Sequence, residues 1–196
     1  KEKHVIFATN YCVYEMEAFF KTHKYLVEHV SSPVKRGLMQ EIDWSRRLIG
    51  IKGSRGVGKT TFLLQYAKEN FGPDDRTCLY INLNNLYFAD KKLSDFVDEF
   101  YRLGGNSEYC TAGSTRCSEN GSNTAEYAYS TYSDLYVIFS GSSVMRLKEE
   151  ESPIQDIVDS YNLRGYSFRE FLNLMAGTDF PSVKLDDILR DHTAFA

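Results

Sequence analysis

The segment Gly53-Ser54-Arg55-Gly56-Val57-Gly58-Lys59-Thr60 contains the residues of this chain whose types and spacing are best suited to chemistry. It fits the pattern G-x-x-x-x-G-K-[ST], in which backbone N–H groups surround the phosphates of a nucleoside triphosphate. Glycines let the main chain bend tightly around an anion, and the helix that follows directs its N-terminus at the same anion. We therefore predict a nucleotide-binding loop formed by this segment and Thr61.

Two side chains of this loop have predicted roles toward ATP and Mg²⁺. Lys59 is expected to bridge the β- and γ-phosphates, which makes it a catalytic candidate, and the hydroxyl of Thr60 is expected to ligate the metal. The alternative is a glycine-rich turn between a strand and a helix without any ligand. Trp44, the only tryptophan, could stack on adenine, but packing against the edge of the sheet is the interpretation we favour.

The segments around the loop predict the elements that must position it. Leu48–Ile51 is a short apolar run suited to a buried parallel strand, and apolar residues recur at helical spacing from Phe62 to Phe71. Thr77–Leu83 predicts a second strand, and Leu93–Leu103 predicts a second amphipathic helix. This order predicts an α/β fold, an αβα P-loop sandwich with a mainly parallel sheet.

Length and composition are those of one globular domain. The 196 residues are 42% hydrophobic and 26% charged, and the net charge of −4 gives no overall attraction to nucleic acid or to an anionic membrane. No apolar run reaches transmembrane length, and the four cysteines show no C-x-x-C pair, so a cytoplasmic location is expected. We divide the chain into an N-terminal extension and helix, 1–32, and a P-loop domain, 33–196.

Two further segments predict secondary structure at the ends of the chain. Helical spacing from Met16 to Val30 predicts the N-terminal helix, while Val5–Phe7 could form a strand. Near the other end, Ser167 and Glu170 have the spacing of a capping box before an apolar helical face, and residues 185–192 suggest one more helix.

The stretch Asn106–Ser130 breaks the α/β pattern. It contains no Leu, Ile, Val, Phe, Met or Trp, and thirteen of its 25 residues are Ser, Thr, Asn or Gly. Such a composition is typical of a long loop or of disorder, so no buried strand is predicted there. We interpret it as an irregular insert or an aberrant segment.

Hydrolysis would require an apolar strand ending in an acidic pair that holds the Mg²⁺ shell and orients water. No such pair is recognisable: Glu108, Glu119 and Glu126 follow no apolar strand, and Asp134 precedes its strand. The apolar strand Leu135–Phe139 ends instead at Ser140, which could sense the γ-phosphate or simply begin a turn. Cations for the transferring phosphoryl group could come from any of three arginines. These are Arg146, Arg164 and Arg169.

With these motifs the chain resembles a prokaryotic AAA+-type ATPase family whose ATPase domain is followed by a C-terminal domain of uncharacterised function. The resemblance rests on Trp44–Asn70, Leu79–Leu83, Ile138–Ser143 and the family-specific motif Leu163–Leu172. It implies an AAA+-like αβα domain that binds ATP with Mg²⁺, with Ser140 as the sensor.

The chain departs from this family pattern in two places. Relatives carry their apolar strand and acidic pair where this chain has Asn106–Ser130, and consecutive arginines where it has Ser152–Ser160. We hypothesise that both stretches are shifted reading frames or wrongly assigned sequence. Reading the gene tests this, since the hypothesis requires an alternative frame that encodes an apolar run ending in Asp-Glu. The family's C-terminal domain is not found in the sequence.

The sequence thus favours an ATP-binding AAA+-like domain that hydrolyses Mg·ATP and couples this to a conformational change. The alternative is a nucleotide-binding interaction module without hydrolysis, because the acidic pair is missing. Expected partners are ATP and either a protein partner or the missing C-terminal domain. No membrane partner is expected, and nucleic acid is not supported because no basic aromatic patch is present.

Overall fold

The computed structural model describes residues 2–31, 33–90, 93–102, 109–113, 127, 129–141 and 157–190. The described helices and strands, in chain order, are α1 (Glu2–His29), α2 (Leu38–Glu41), β1 (Leu48–Lys52), α3 (Lys59–Asn70), β2 (Cys78–Asn82), α4 (Tyr87–Asp90), α5 (Leu93–Arg102), β3 (Tyr109–Gly113), β4 (Val137–Gly141), β5 (Asp159–Asn162), α6 (Phe168–Ala176) and α7 (Leu185–Arg190).

The five strands form one sheet in the order β2-β3-β4-β1-β5, and each neighbouring pair is parallel. β1 lies between β4 and β5, with Lys52 opposite Gly141 on one side and Asn162 on the other. Because all strands point the same way, their carboxyl ends meet at one edge of the sheet. The predicted α/β fold with a parallel sheet is therefore confirmed.

Helices cover both faces of the sheet. Alternate residues of a strand point to opposite faces, so β1 contributes Leu48 to one apolar cluster and Ile49 to the other. The first cluster contains residues of α1 and α5, including Phe19 and Phe96, and the second contains the apolar face of α3, including Phe62. The result is the three-layer αβα arrangement that the alternation of elements predicts.

Helix α1 extends further towards the N-terminus than the sequence indicates. Val5–Phe7, interpreted above as a possible strand, lies within the single helix Glu2–His29, so that interpretation is wrong. The second half of α1 belongs to the core, because Met16 and Val27 are both buried. His23 is also buried, and its Nδ1 accepts a hydrogen bond from the backbone N–H of Tyr80 on β2 at 2.9 Å.

Two strands occur where the sequence predicts none. Tyr109–Gly113, inside the stretch interpreted as a loop, forms β3 and pairs with β2 and β4, so the prediction of an unbroken irregular segment is wrong. Asp159–Asn162 forms β5 beside β1, although three of its four residues are polar. Backbone hydrogen bonds to apolar neighbouring strands hold both strands in the sheet. The pattern of side chains along a sequence does not reveal such pairing.

The C-terminal helices agree with the sequence. The capping box is present, because the Ser167 hydroxyl accepts from the Glu170 N–H and the Glu170 carboxylate accepts from the Ser167 N–H. α7 occupies Leu185–Arg190, within the range predicted.

Across the described ranges, none of the helices combines the length and the apolar content that crossing a bilayer requires.

Candidate functional site: the phosphate loop

The loop Gly53–Gly58 leaves the carboxyl end of β1 and enters α3 at Lys59. The first turn of α3 begins with a hydrogen bond from the Phe62 N–H to the Gly58 carbonyl at 2.9 Å. The N-terminus of this 12-residue helix therefore opens at the edge of the sheet where the parallel strands end. Unpaired N–H groups at such a position attract anions.

Two glycines give the loop its curvature. Gly56 has φ of 84° and Gly58 has φ of 94°, in the left-handed region that side chains with a Cβ rarely adopt. A Cβ atom added at either residue would meet no other atom within 4 Å, so space is open beside both peptides. The loop thus combines a tight bend with open space beside its backbone.

Lys59 folds over the start of the loop. Its Nζ donates to the carbonyl oxygens of Gly53 at 2.7 Å and Ser54 at 2.9 Å, and only 8% of the residue is exposed. Burial lowers the pKa of its ammonium group. The amine therefore contacts the backbone of the loop. If an anion were bound there, its charged oxygens would replace these carbonyls as partners of the amine.

The two threonines follow on the first turn of α3. Thr60 is exposed and Thr61 is half-buried. The Thr60 hydroxyl hydrogen-bonds the phenol of Tyr80 on β2; burial nonetheless raises the pKa of that phenol. Ser54 and Arg55, at the outer turn of the loop, are exposed to solvent.

Ser140 lies on β4, directly beside Ile51 of β1, and is only 1% exposed. It is one residue from the end of its strand, next to the strand that leads into the loop. β3 is the next strand along the sheet; continuing its register past Ala112, which pairs with Phe139, brings Gly113 beside Ser140. The position at the end of β3 where an acidic side chain would approach the site is therefore held by glycine.

The other candidate charges are dispersed. Asp134 lies before β4, at the opposite end of that strand from the loop, and accepts from the Tyr101 hydroxyl. Glu108, Glu119, Glu126 and Arg146 lie outside the described residues. Within the part of the chain that the structure describes, no group of three or more His, Cys, Asp or Glu residues could hold a metal ion.

The two remaining arginine candidates have different surroundings. Arg169 donates to the carbonyl of Phe180 at 3.0 Å and so holds the segment after α6. Arg164 is exposed and follows β5, whose backbone runs past the loop: the Leu163 N–H donates to the Lys52 carbonyl at 2.8 Å. Because of its position after β5, Arg164 remains a candidate for the cation that would contact the transferring phosphoryl group.

Trp44 packs on protein. Its ring stacks on Tyr66 of α3 with centroids 3.7 Å apart, and its indole N–H donates to the Met39 carbonyl at 3.0 Å. The prediction that Trp44 packs on protein is confirmed, although its ring contacts residues of helix α3 instead of the edge of the sheet.

One residue of the site was missed in the sequence. Arg36 is buried, and its guanidinium donates to the carbonyl of Val57 inside the phosphate loop at 3.3 Å. In the sequence, only Lys35-Arg36-Gly37, a basic pair before a glycine, distinguishes this residue.

Comparison with known proteins identifies the family. A family described as an AAA domain matches residues 45–172, about two thirds of the chain. Among solved structures, that of PCH-2 from C. elegans is similar with a TM-score of 0.41 and 15% identity, over 90% of this chain and 50% of that chain. This chain thus spans about half the length of that protein, and no curated protein matches it significantly. The chain belongs to the AAA domain family.

Proposed function

We propose that the chain binds Mg·ATP in the phosphate loop and hydrolyses it as the nucleotide-binding part of an AAA-type ATPase, with 33–196 as the domain that does so. The observation that carries this proposal is the inward fold of Lys59 over the carbonyls of Gly53 and Ser54, in a loop that opens onto a helix N-terminus. A buried ammonium held this way is a preformed partner for the β- and γ-phosphates.

The residues around the loop fit the rest of the ligand. Backbone N–H groups from Gly58 to Thr61 would hold the phosphates, because the helix N-terminus leaves them without intrahelical partners. The exposed Thr60 hydroxyl would ligate Mg²⁺, which favours oxygen ligands and keeps several waters. Bound Mg²⁺ supplies charge neutralisation on the phosphates.

Hydrolysis is supported by the location of Ser140. A hydroxyl on the strand beside β1 can contact the γ-phosphate or the attacking water, and this one is buried one residue from the end of β4. We propose that the resulting contact changes with nucleotide state and is passed to a further domain or a protein partner. A requirement for ATP supports a cytoplasmic location.

The second candidate is nucleotide binding without turnover. The register of β3 favours it, because Gly113 stands where the strand would present a carboxylate towards Mg²⁺ and water. Without that carboxylate, general-base and metal-shell contributions to the rate are lost while the contacts to the phosphates remain.

Titration calorimetry and steady-state phosphate release test these proposals. We expect the wild-type chain to bind Mg·ATP and Lys59→Ala to lose measurable binding, because the buried ammonium is removed from the phosphate contacts. Lys68→Ala, on the same helix but bonded to the Glu28 and Val30 carbonyls of the α1 end, is the matched control and should bind normally.

Unchanged affinity in Lys59→Ala would contradict nucleotide binding at this loop. Phosphate release above the Lys59→Ala background supports the ATPase, and release at that background with intact binding supports the binding module.

A further inference from the structure

Arg36, in the segment before α2, connects three parts of the chain that are distant in sequence. Only 8% of the residue is exposed. Its guanidinium donates to the Val57 carbonyl at 3.3 Å, to the Arg164 carbonyl at 2.5 Å and to the Gly165 carbonyl at 3.0 Å. One planar side chain with five N–H donors therefore joins the phosphate loop to the backbone that follows β5.

Glu170 neutralises this buried charge. Its Oε1 accepts from Arg36 Nε at 3.3 Å and from the Gly37 N–H at 2.8 Å, while its Oε2 accepts from the backbone and hydroxyl of Ser167. Burial alone would raise the pKa of Glu170, but the hydrogen bonds from Gly37 and Ser167, with the charge of Arg36, outweigh it and lower that pKa. Both ions of the pair are thus charged and satisfied.

The ring of Tyr166 covers the outer side of the guanidinium, with Arg36 Cζ 4.7 Å from the ring centroid. Tyr166 is itself 48% exposed, so it separates the buried charge from solvent. Outside the loop, the Arg36 guanidinium contacts the backbone of 164–165, the ring of Tyr166 and the carboxylate of Glu170. This explains why Leu163–Leu172 lies against the nucleotide site although it supplies no loop residue.

The hydrogen bond to Val57 bears on the phosphate contacts through peptide geometry. Val57 lies between the two glycines of positive φ, where side chains give the backbone little restraint. In a planar trans peptide the C=O and the following N–H point in opposite directions. The carbonyl of Val57 points towards the Arg36 guanidinium, so the Gly58 N–H of the same peptide points away from it.

We propose that Arg36 is a positioning residue for the phosphate loop: its hydrogen bond to Val57 fixes the peptide that presents the Gly58 N–H to the phosphates. The proposal rests on the proposed nucleotide binding. It also gives the motif Leu163–Leu172 a role in the site. The carbonyls of Arg164 and Gly165 and the carboxylate of Glu170 set the position of the guanidinium. Arg36 contacts no nucleotide atom in this scheme.

Arg36→Lys tests the proposal. Lysine keeps the charge but cannot serve Val57, two further carbonyls and Glu170 at once, so we expect Mg·ATP to bind about tenfold more weakly by titration calorimetry. Arg46→Lys is the matched control, because Arg46 forms an exposed pair with Asp159 and has no contact with the loop. Its affinity should equal that of the wild type, and affinity of Arg36→Lys within twofold of the wild type would overturn the proposal.

A second readout separates positioning from general stability and from nucleotide binding itself. We expect amide hydrogen exchange of 53–60 in the nucleotide-free protein to speed up in Arg36→Lys while exchange of the β1 amides is unchanged. Equal exchange of the loop in both proteins would contradict the positioning role even if wild-type affinity for ATP were absent, whereas absent affinity alone would refute only the proposed function.

If Arg36→Lys does not unfold cooperatively, it is not folded well enough for the test, and Glu170→Gln tests the proposal in its place. It keeps the arginine but replaces the carboxylate that orients the guanidinium with a neutral amide. Faster exchange of the loop and weaker Mg·ATP binding, by about threefold, support the proposal. Exchange and affinity equal to the wild type overturn it.

Discussion

A Cβ atom added at Gly53 would lie 2.5 Å from the carbonyl oxygen of Leu163, a non-bonded distance that real Cβ atoms essentially never show. The same atom at Gly56 or Gly58 would meet nothing within 4 Å, although both residues have positive φ. The glycines of the loop therefore serve two purposes. Gly56 and Gly58 provide backbone conformations, whereas Gly53 provides the close approach of the loop to the backbone after β5.

Gly53→Ala is consequently expected to destabilise the nucleotide-free protein. The contact is with backbone, which cannot move aside as a flexible side chain would, so a loss of about 1–3 kcal/mol in the free energy of unfolding is expected. Urea unfolding measures it. Gly165→Ala is the control, because its Cβ would enter open space and its carbonyl remains available to Arg36; its stability should change by less than roughly 0.5 kcal/mol. Equal stabilities of the two variants would show that the approach at Gly53 relaxes without cost.

The residues of the phosphate loop could be predicted because a short motif lies in one continuous segment. Lys59 and Thr60 lie where the motif and the following helical stripe locate them. Arg36 could not be predicted in the same way, since the residues it contacts are 21 to 134 positions away. No feature of the local sequence distinguishes a buried arginine that donates to carbonyls of distant residues from an arginine exposed to solvent.

At the scale of elements, the side-chain pattern identified the strands whose sequences are rich in apolar residues and missed the two whose sequences are not. β1 and β2 each have four buried residues of five, and both were predicted. β3 contains Cys110, Thr111 and Ala112, and β5 contains two polar residues before Tyr161. Their positions follow from hydrogen bonds to β2, β4 and β1, and such pairing overrides weak intrinsic preference.

Helix α1 closes the outer side of β2 through His23, and this contact makes stability depend on pH. Burial lowers the pKa of His23, and the opposing effect of Asp75 is smaller. A base with a lowered pKa in the folded state binds fewer protons there than in the unfolded chain. Stability is therefore greatest above the unfolded pKa of about 6.5 and declines as the pH falls from there towards the folded value.

We expect the unfolding midpoint of the wild type to drop between pH 7.5 and 5.5, and His23→Gln to flatten this dependence. Glutamine offers an acceptor to the Tyr80 N–H but does not titrate. His29→Gln serves as control, because His29 lies on the same helix, stacked on the exposed Tyr25. Thermal unfolding followed by circular dichroism across this range provides the measurement. An equal slope in His23→Gln and the wild type would show that the buried imidazole is not the group responsible.

At the scale of the whole molecule, the strand order brings segments that are far apart in the sequence to the same edge of the sheet. The loop follows β1, Ser140 lies one residue from the end of β4, and the carbonyls of Arg164 and Gly165 that Arg36 contacts follow β5. These three strands are adjacent in the sheet. The carboxyl edge of a parallel sheet is where such folds bind ligands. The candidate site thus depends on the strand order. The predictions of the loop and of Ser140 rest on local sequence patterns, whereas no local pattern marks the contacts of Arg36 after β5.

Because the site draws on three strands and two helices, ligand binding should stabilise the domain as a unit. A ligand that binds only the folded state adds RT ln(1 + [L]/Kd), about 2.7 kcal/mol at a concentration one hundred times Kd. For a chain of this size that corresponds to a rise of roughly 5–10 °C in the unfolding midpoint. We expect this rise with Mg·ATP for the wild type and none for Lys59→Ala. A midpoint that Mg·ATP leaves unchanged would mean that the loop does not bind the nucleotide, since binding to the folded state alone must raise the midpoint. A transition that is not cooperative would contradict the folding of this domain as a unit.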